Sequence, residues 1–197
     1  MWLKEIMNYD GEIKDIIEMK GLRILGLSNE FNSSLDDIKY LVNLEELYLG
    51  ERFNGSLKSL ESLDNLKVLY IGERFNKELI LPKGLEELKF NPLCIFNNDI
   101  KNLPNSLKVL FLSAVFDGEI EYPDNLKKLY INIWIDLSKI PDSVEYLYIY
   151  SDMEIDNLPL GLKELRIDSI YLSFNTKEEL KDKLPVGCDL YINNKKI

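Results

Sequence analysis

A near-verbatim internal repeat constrains this sequence more than any other feature. Residues 44–57 read LEELYLGERFNGSL, and residues 66–79, which begin 22 positions later, read LKVLYIGERFNKEL. Both segments fit the frame L-x-x-L-x-[LI]-x-x-x-F-N-x-x-L. A chain that repeats itself at a short period folds as stacked units, because each unit buries its apolar face only against its neighbours. The repeat therefore predicts a solenoid.

The apolar positions of the frame predict which solenoid it is. Copies begin at eight positions spaced 18 to 22 residues apart: Leu22, Leu44, Leu66, Leu85, Leu107, Leu126, Val144 and Leu162. Positions 1, 4 and 6 are apolar, and the alternation at 4 and 6 indicates a strand with one buried face. This is the leucine-rich-repeat signature. We expect an α/β repeat solenoid of about nine strands, a short arc with a curved parallel β-sheet on its concave face.

The return half of each repeat changes along the chain. In the first copies apolar residues recur every third position, as at Leu35, Ile38 and Leu41, a spacing that suits a 3₁₀ or short helical segment. Later copies shorten around a proline, which disfavours helix in the preceding residue. The convex side should therefore be mostly irregular, 3₁₀ or extended. The prolines are Pro82, Pro104, Pro123, Pro141 and Pro159.

The repeat pattern predicts a single domain over residues 1–197. Residues 1–21 are interpreted as an N-terminal cap or degenerate repeat, in which Trp2, Ile6 and Ile17 pack over the open end of the core. Repeats then occupy residues 22–170. Residues 171–197 form a C-terminal cap, because Thr176-x-x-Glu179 is a capping box that opens a short helix, about residues 176–183. A last, shortened strand follows within residues 184–192.

Phe-Asn pairs recur at the end of the frame in the first copies. They are Phe31-Asn32, Phe53-Asn54, Phe75-Asn76 and Phe96-Asn97, with Phe116-Asp117 as a near match. The pattern resembles the FNIP-type leucine-rich repeat over most of residues 22–167. That family occurs largely in amoebal and large-virus proteins, and acidic bacterial leucine-rich proteins share the spacing. We expect the phenylalanines to stack as a buried spine and the asparagines to bond neighbouring backbone at the turn.

Composition argues against catalysis and against nucleic-acid binding. The chain has no histidine, which removes the usual general base and the commonest metal ligand. It has no Gly-rich phosphate loop, nucleophile elbow or HExxH sequence, so we expect no enzyme activity, no cofactor and no metal. The acid pairs Glu45-Glu46 and Glu86-Glu87 are interpreted as solvated strand flanks. A net charge of −10 disfavours nucleic acid and favours a basic partner.

The cysteines and the lack of targeting segments indicate the redox state of the thiols and the location of the protein. The two cysteines, Cys94 and Cys188, fall at apolar repeat positions and are 94 residues apart, so buried free thiols are expected. No apolar run approaches 18 residues, and the N-terminal segment MWLKEIMNYDGE lacks the features of a signal peptide. We expect a cytoplasmic protein that does not act at a membrane.

Frame position 5 carries the sharpest functional hypothesis. It lies between two buried positions, so its side chain should point to the open face of the sheet. Its eight residues are Gly26, Tyr48, Tyr70, Lys89, Phe111, Tyr130, Tyr148 and Arg166, and five of them are aromatic. Tyr146 and Tyr150 flank this row, and Trp134 falls just past its strand. Adjacent aromatic side chains stabilise sheets, but tyrosine and tryptophan with arginine are also typical of interface hot spots.

The sequence therefore predicts a non-catalytic protein-protein interaction module that binds through its concave, tyrosine-rich sheet. The binding surface consists of the aromatic residues, Arg166 and the acidic neighbours Glu46, Glu51, Glu73 and Glu87. The partner should present basic and apolar groups to this surface. An alternative stays open. A small acidic protein without catalytic residues could be a stoichiometric inhibitor of a nucleic-acid enzyme, such as a viral anti-defence or toxin-immunity protein.

Overall fold

The computed structural model describes residues 4–168 and 176–197, and its strands form one continuous sheet in chain order. Neighbouring strands pair in parallel except the last two, which are antiparallel. The strands are β1 (Glu5–Tyr9), β2 (Ile24–Leu27), β3 (Glu46–Tyr48), β4 (Val68–Ile71), β5 (Glu87–Phe90), β6 (Val109–Phe111), β7 (Lys128–Ile131), β8 (Tyr146–Ile149), β9 (Glu164–Ile167), β10 (Asp189–Ile192) and β11 (Lys195–Lys196). The predicted solenoid is confirmed. The nine expected strands are β2 to β10, and β1 and β11 extend the sheet at its two ends.

Leucine at frame position 4 fixes the register of the stack. Leu25 pairs with Leu47, Leu47 with Leu69, and the same pairing continues to Leu190 in β10. Each of these leucines is at most 2% exposed. A slip of one residue would turn the whole row to solvent. Since burying a leucine stabilises by about 1.5–3 kcal/mol, the row holds the register firmly.

The predicted phenylalanine spine and asparagine ladder are confirmed. Ring centroids of Phe31, Phe53, Phe75, Phe96 and Phe116 follow one another at 6.2, 6.4, 6.0 and 6.3 Å, each pair stacked. Beside them, the backbone N–H of Asn54 donates to Oδ1 of Asn32 at 3.0 Å, and Asn76 N–H donates to Asn54 at 2.9 Å. Asn97 likewise accepts from the backbone N–H of Asp117, so three of the four asparagines satisfy backbone of the next repeat. Asn76 instead accepts from the side chain of Asn98 at 3.1 Å.

The return segments follow the predicted change along the chain, with one exception. Short 3₁₀ helices span Ile13–Asp15, Asp36–Tyr40 and Lys58–Ser62 in the first turns. The exception is a 3₁₀ helix at Leu137–Lys139, immediately before Ile140 and Pro141. Asp136 caps it by accepting from Ser138 N–H at 3.0 Å.

The two ends of the sheet are closed differently. At the C-terminal end, α1 (Lys177–Lys183) begins with the predicted capping box of Thr176 and Glu179 and buries Leu180 against the core. β11 then turns back on β10 through Asn193 and Asn194, both with positive φ, which suits a tight hairpin. At the N-terminal end Ile6 packs against the core. Trp2, assigned to the same cap, lies outside the described residues.

Two further expectations concern the thiols and the membrane. Cys94 is buried and Cys188 is partly buried, and both are free thiols, as predicted. Burial raises the pKa of each to about 11, which keeps them protonated and unreactive at neutral pH. Within residues 4–168 and 176–197, no helix has both the length and the apolar character needed to cross a membrane.

Candidate protein-interaction surface

The strand register aligns frame position 5 into one row across the open face of the sheet. We call this the aromatic row. Each residue in it pairs with the next across adjacent strands. The side chains lie on the sheet face opposite to that of the buried leucines. Beyond Gly26 its members are all partly buried. They are Gly26, Tyr48, Tyr70, Lys89, Phe111, Tyr130, Tyr148, Arg166 and, from β10, Tyr191.

The C-terminal half of the aromatic row is a continuous stack. Phe111 and Tyr130 have centroids 3.6 Å apart and planes within 9°, and Tyr130 and Tyr148 follow at 4.2 Å and 6°. The guanidinium of Arg166 lies 5.7 Å from the Tyr148 centroid and 4.2 Å from that of Tyr191. Because the rings cover one another's faces, the stack presents ring edges and hydroxyl groups to a partner.

Glu164 orients the polar groups at the end of this stack. Its carboxylate accepts from the Tyr148 hydroxyl at 3.1 Å and from Arg166 Nε at 2.7 Å. Burial, the neighbouring Tyr130 and this carboxylate together raise the pKa of Tyr148. Tyr148 therefore remains a neutral hydrogen-bond donor over the physiological range. Arg166 is held between two rings, which restricts the conformations of its side chain.

The N-terminal half of the row is more open and more acidic. Tyr48 and Tyr70 have centroids 6.3 Å apart with planes at 31°. The Tyr48 hydroxyl donates to Glu46 at 2.6 Å, and this bond, together with burial, raises the pKa of Tyr48 to about 12. Glu5 and Glu87 also lie near enough to raise it. Glu87 pairs with Lys89 at 2.6 Å. Glu5 and Glu46 have no ion pair with any lysine or arginine that the structure describes.

A cavity opens beside the stacked half, at the carboxyl ends of β5 to β8. Its volume is about 300 Å³. Phe111 and Tyr130 of the aromatic row form one side of it, and Tyr150, 45% exposed, stands at its rim. Asn132 is the amide among lining residues that are otherwise apolar or aromatic. A space of this size and character accepts one apolar side chain of a partner. Its other lining residues include Phe90 and Pro92.

The structure does not bring every predicted site residue into the aromatic row. Tyr146 lies on the same sheet face at frame position 3, where Lys128 Nζ is 5.2 Å from its ring. Glu51 and Glu73 follow the ends of β3 and β4, and Glu51 accepts from Asn29 Nδ2 at 2.9 Å. Trp134, 60% exposed, lines a separate cavity among the return segments, together with Tyr122.

Two members of the surface were missed by sequence reasoning. Tyr191 completes the row because β10 pairs with β9 in the same register, and extending position 5 to the last strand would have found it. Met7 of β1 fills the gap above Gly26, where a Cβ would lie 2.7 Å from its methyl carbon. Met7 is 54% exposed. Its strand departs from the frame, so no sequence signal marks it.

The acid pairs are more than solvated flanks, because their first members form ion pairs between repeats. Glu45 accepts from Arg23 Nε at 2.7 Å, and Glu86 pairs with Lys108 at 2.6 Å. Glu145 bridges lysines on two sides, and Lys163 and Lys127 hold the pKa of its carboxyl below the usual range. A lowered pKa suits an ion pair and not a general acid. Among the described residues, no group of three or more acids and cysteines is arranged to hold a metal.

Solved structures of similar fold define the class of protein. CroV588, a novel circular leucine-rich-repeat protein, matches with a TM-score of 0.69 and 28% identity over 89% of this chain and 28% of its own. An internalin (InlF) from Listeria monocytogenes matches with a TM-score of 0.64 and 19% identity over 96% of this chain and 60% of its own. The chain thus spans about a quarter of the first and three fifths of the second. No protein-family model matches the sequence, and no curated protein does. By its fold the chain is a leucine-rich-repeat protein.

Proposed function

We propose that this chain is a non-catalytic protein-interaction module that binds its partner through the aromatic row and the adjoining cavity. The alignment of tyrosine, phenylalanine and arginine side chains on the sheet face opposite the core is the observation that carries the proposal. The core does not need these side chains, since the leucine row already fixes the register. Rigid aromatic groups that lose little side-chain entropy are typical of interface hot spots. A leucine-rich-repeat scaffold, as in the two similar structures, supports this use.

The surface chemistry supports a partner with both basic and apolar groups. An apolar side chain fits the cavity beside Phe111 and Tyr130, and a basic group fits the acidic end at Tyr48, where Glu5 and Glu46 lack a basic counterpart among the described residues. Glu51, Glu73 and Glu87 extend the negative field, which speeds encounter with a basic protein and weakens with salt. The partner is therefore a protein with a basic and apolar surface.

The finer family and the location are part of the same proposal. The stacked phenylalanines and the asparagine ladder of the first five repeats support the FNIP type of leucine-rich repeat. The two free cysteines support a reducing compartment, for which we propose the cytoplasm.

The alternative role uses the same acidic end differently. The carboxylates of Glu5 and Glu46, which have no ion pair among the described residues, favour insertion into a basic channel, as expected of a stoichiometric inhibitor of a nucleic-acid enzyme. Inhibition of such an enzyme at a one-to-one ratio, lost in Glu46→Lys, would replace the general interaction role with this one. Binding to a partner without any nucleic-acid activity would exclude it.

Comparative affinity capture tests the proposal. Wild type, Tyr48→Ala, Tyr148→Ala and the control Tyr40→Ala are used as baits, and captured proteins are quantified by mass spectrometry. Tyr40 is a matched control because it is 46% exposed but lies on a 3₁₀ helix of the return side. We expect a protein that wild type and Tyr40→Ala retain and the two sheet variants lose. Equal capture by all four baits would contradict a sheet-face interface.

A further inference from the structure

A second cavity lies away from the sheet, between the return segments of two consecutive repeats. Its volume is about 240 Å³. The segment after β6 contributes residues 117–120 and 122, and the segment after β7 contributes residues 134–136 and 139. The aromatic row contributes nothing to it. The lining groups that matter are Asp117, Glu119, Tyr122, Trp134, Asp136 and Lys139.

The walls of this cavity combine an aromatic face with apolar side chains. Trp134 is 60% exposed. Tyr122 packs against the core, and burial raises the pKa of its hydroxyl, so the ring stays neutral. Ile120 and Ile135 complete the apolar part. These groups suit a ligand with a hydrocarbon stem and a flat or cationic head.

The charged part of the cavity is strongly negative and held in place. Three carboxylates face one amine, that of Lys139. Hydrogen bonds from Ser138 hold the pKa of Asp136 below its usual range, so it is ionised at neutral pH. The preceding repeat fixes the backbone that carries the other two: the backbone N–H of Asp117 donates to Asn97 at 2.6 Å, and that of Glu119 donates to Asp99 at 3.0 Å. Lys101, whose pKa Glu119 helps to raise, pairs with Asp99 at 3.1 Å.

We propose that this cavity is a docking site for a protruding arginine of a partner protein. A guanidinium is planar, so it stacks on an indole face and at the same time donates to carboxylates on its edge. Its three-carbon stem can pack along the isoleucine side chains while the guanidinium stays at the carboxylates. Lysine offers the charge but not the planar face. The negative charge of the cavity favours a cation over a neutral group, and the exposed indole favours a guanidinium over an ammonium.

The site is independent of the proposed sheet interface, so a small probe tests it directly. The probe is the blocked tripeptide acetyl-Gly-Arg-Gly-amide, titrated into the full chain while the Trp134 indole N–H signal is followed by NMR. We expect a saturable shift that weakens as salt is raised, because the interaction is partly electrostatic. The neutral isostere with citrulline in place of arginine should bind about tenfold more weakly or not at all.

Variants separate the site from its surroundings. Trp134→Ala, followed through the backbone amides of residues 117–120, should lose binding, and so should the isosteric double variant Asp117→Asn with Glu119→Gln, which leaves the apolar walls intact. Tyr148→Ala, on the sheet face, should bind the probe as wild type does. Equal binding of the citrulline peptide, equal binding of a lysine tripeptide, or a Trp134→Ala protein that still binds would each overturn the assignment. If affinity capture disproved the sheet-face interface, the result of this peptide titration would still stand.

Discussion

At the residue scale, frame position decides what an aromatic side chain does in this protein. Phe53 sits at frame position 10 and is fully buried between two other rings of the spine. Tyr48 sits at frame position 5 of the same repeat, on the open sheet face, with its hydroxyl on Glu46. One ring therefore contributes to stability, and the other is available to a partner. The two roles predict opposite results for the same substitution.

Replacing Phe53 by alanine should lower the free energy of unfolding by about 3–5 kcal/mol, because a fully buried ring leaves a cavity between its neighbours. Urea denaturation followed by circular dichroism measures the loss. Phe53→Leu, which keeps much of the volume, should cost less. A Phe53→Ala protein as stable as wild type would show that this side chain is not part of the core.

Glu46 should control the ionisation of Tyr48. The carboxylate favours the protonated phenol, which holds the pKa of Tyr48 at about 12. Glu46→Gln keeps an acceptor but removes the charge, so the pKa should fall toward the ordinary tyrosine value of about 10. An NMR titration with ring-labelled tyrosine measures it. An unchanged pKa in Glu46→Gln would mean that burial and the other nearby carboxylates, Glu5 and Glu87, cause the shift.

At the element scale, the repeat predicted most of the fold and part of the site. The strands, the leucine row and the Phe-Asn spine follow from the period, since equivalent positions in stacked copies must meet. The stacking of Phe111 on Tyr130 at 3.6 Å was not predictable, because it depends on how rings lean on the finished sheet. The 3₁₀ helix before Pro141 and the cavity at Trp134 lie where the sequence departs from the repeat frame. A residue's position in the frame therefore does not predict its structure there.

Close contact between repeats gives a prediction at frame position 7. A Cβ on Gly72 would lie 2.0 Å from the carbonyl oxygen of Gly50, so Gly72→Ala should force the repeats apart. We expect a loss of about 1–3 kcal/mol in thermal or urea unfolding, as for overpacked cores.

Ser28 is the matched control because it occupies the same frame position in an earlier repeat. Its buried hydroxyl has no hydrogen-bond partner among the residues that the structure describes, so Ser28→Ala should leave stability unchanged or raise it. If Gly72→Ala were as stable as wild type, or if Ser28→Ala were the more damaging change, the account of the close approach would be wrong.

At the scale of the whole molecule, the described strands of the solenoid place the aromatic row on the sheet face opposite the core. The open sheet face is acidic near β3 and aromatic from β6 to β10, so one partner can meet a charged and an apolar region together. Ion pairs such as Lys163 with Glu145 hold successive repeats at the strand edge and leave the face free. This sheet face is the interface that we propose.

The most direct test measures the affinity of the partner that capture identifies for Tyr48→Ala, Tyr70→Ala, Tyr130→Ala and Tyr148→Ala, with Tyr40→Ala as control and the unfolding of each variant checked. A hot-spot tyrosine replaced by alanine loses about 2 kcal/mol or more of binding, about thirtyfold in Kd. We predict a loss of this size in at least one variant of each half of the aromatic row, with Tyr40→Ala at the wild-type Kd. If all four folded variants bind with the wild-type Kd, the sheet face is not the interface.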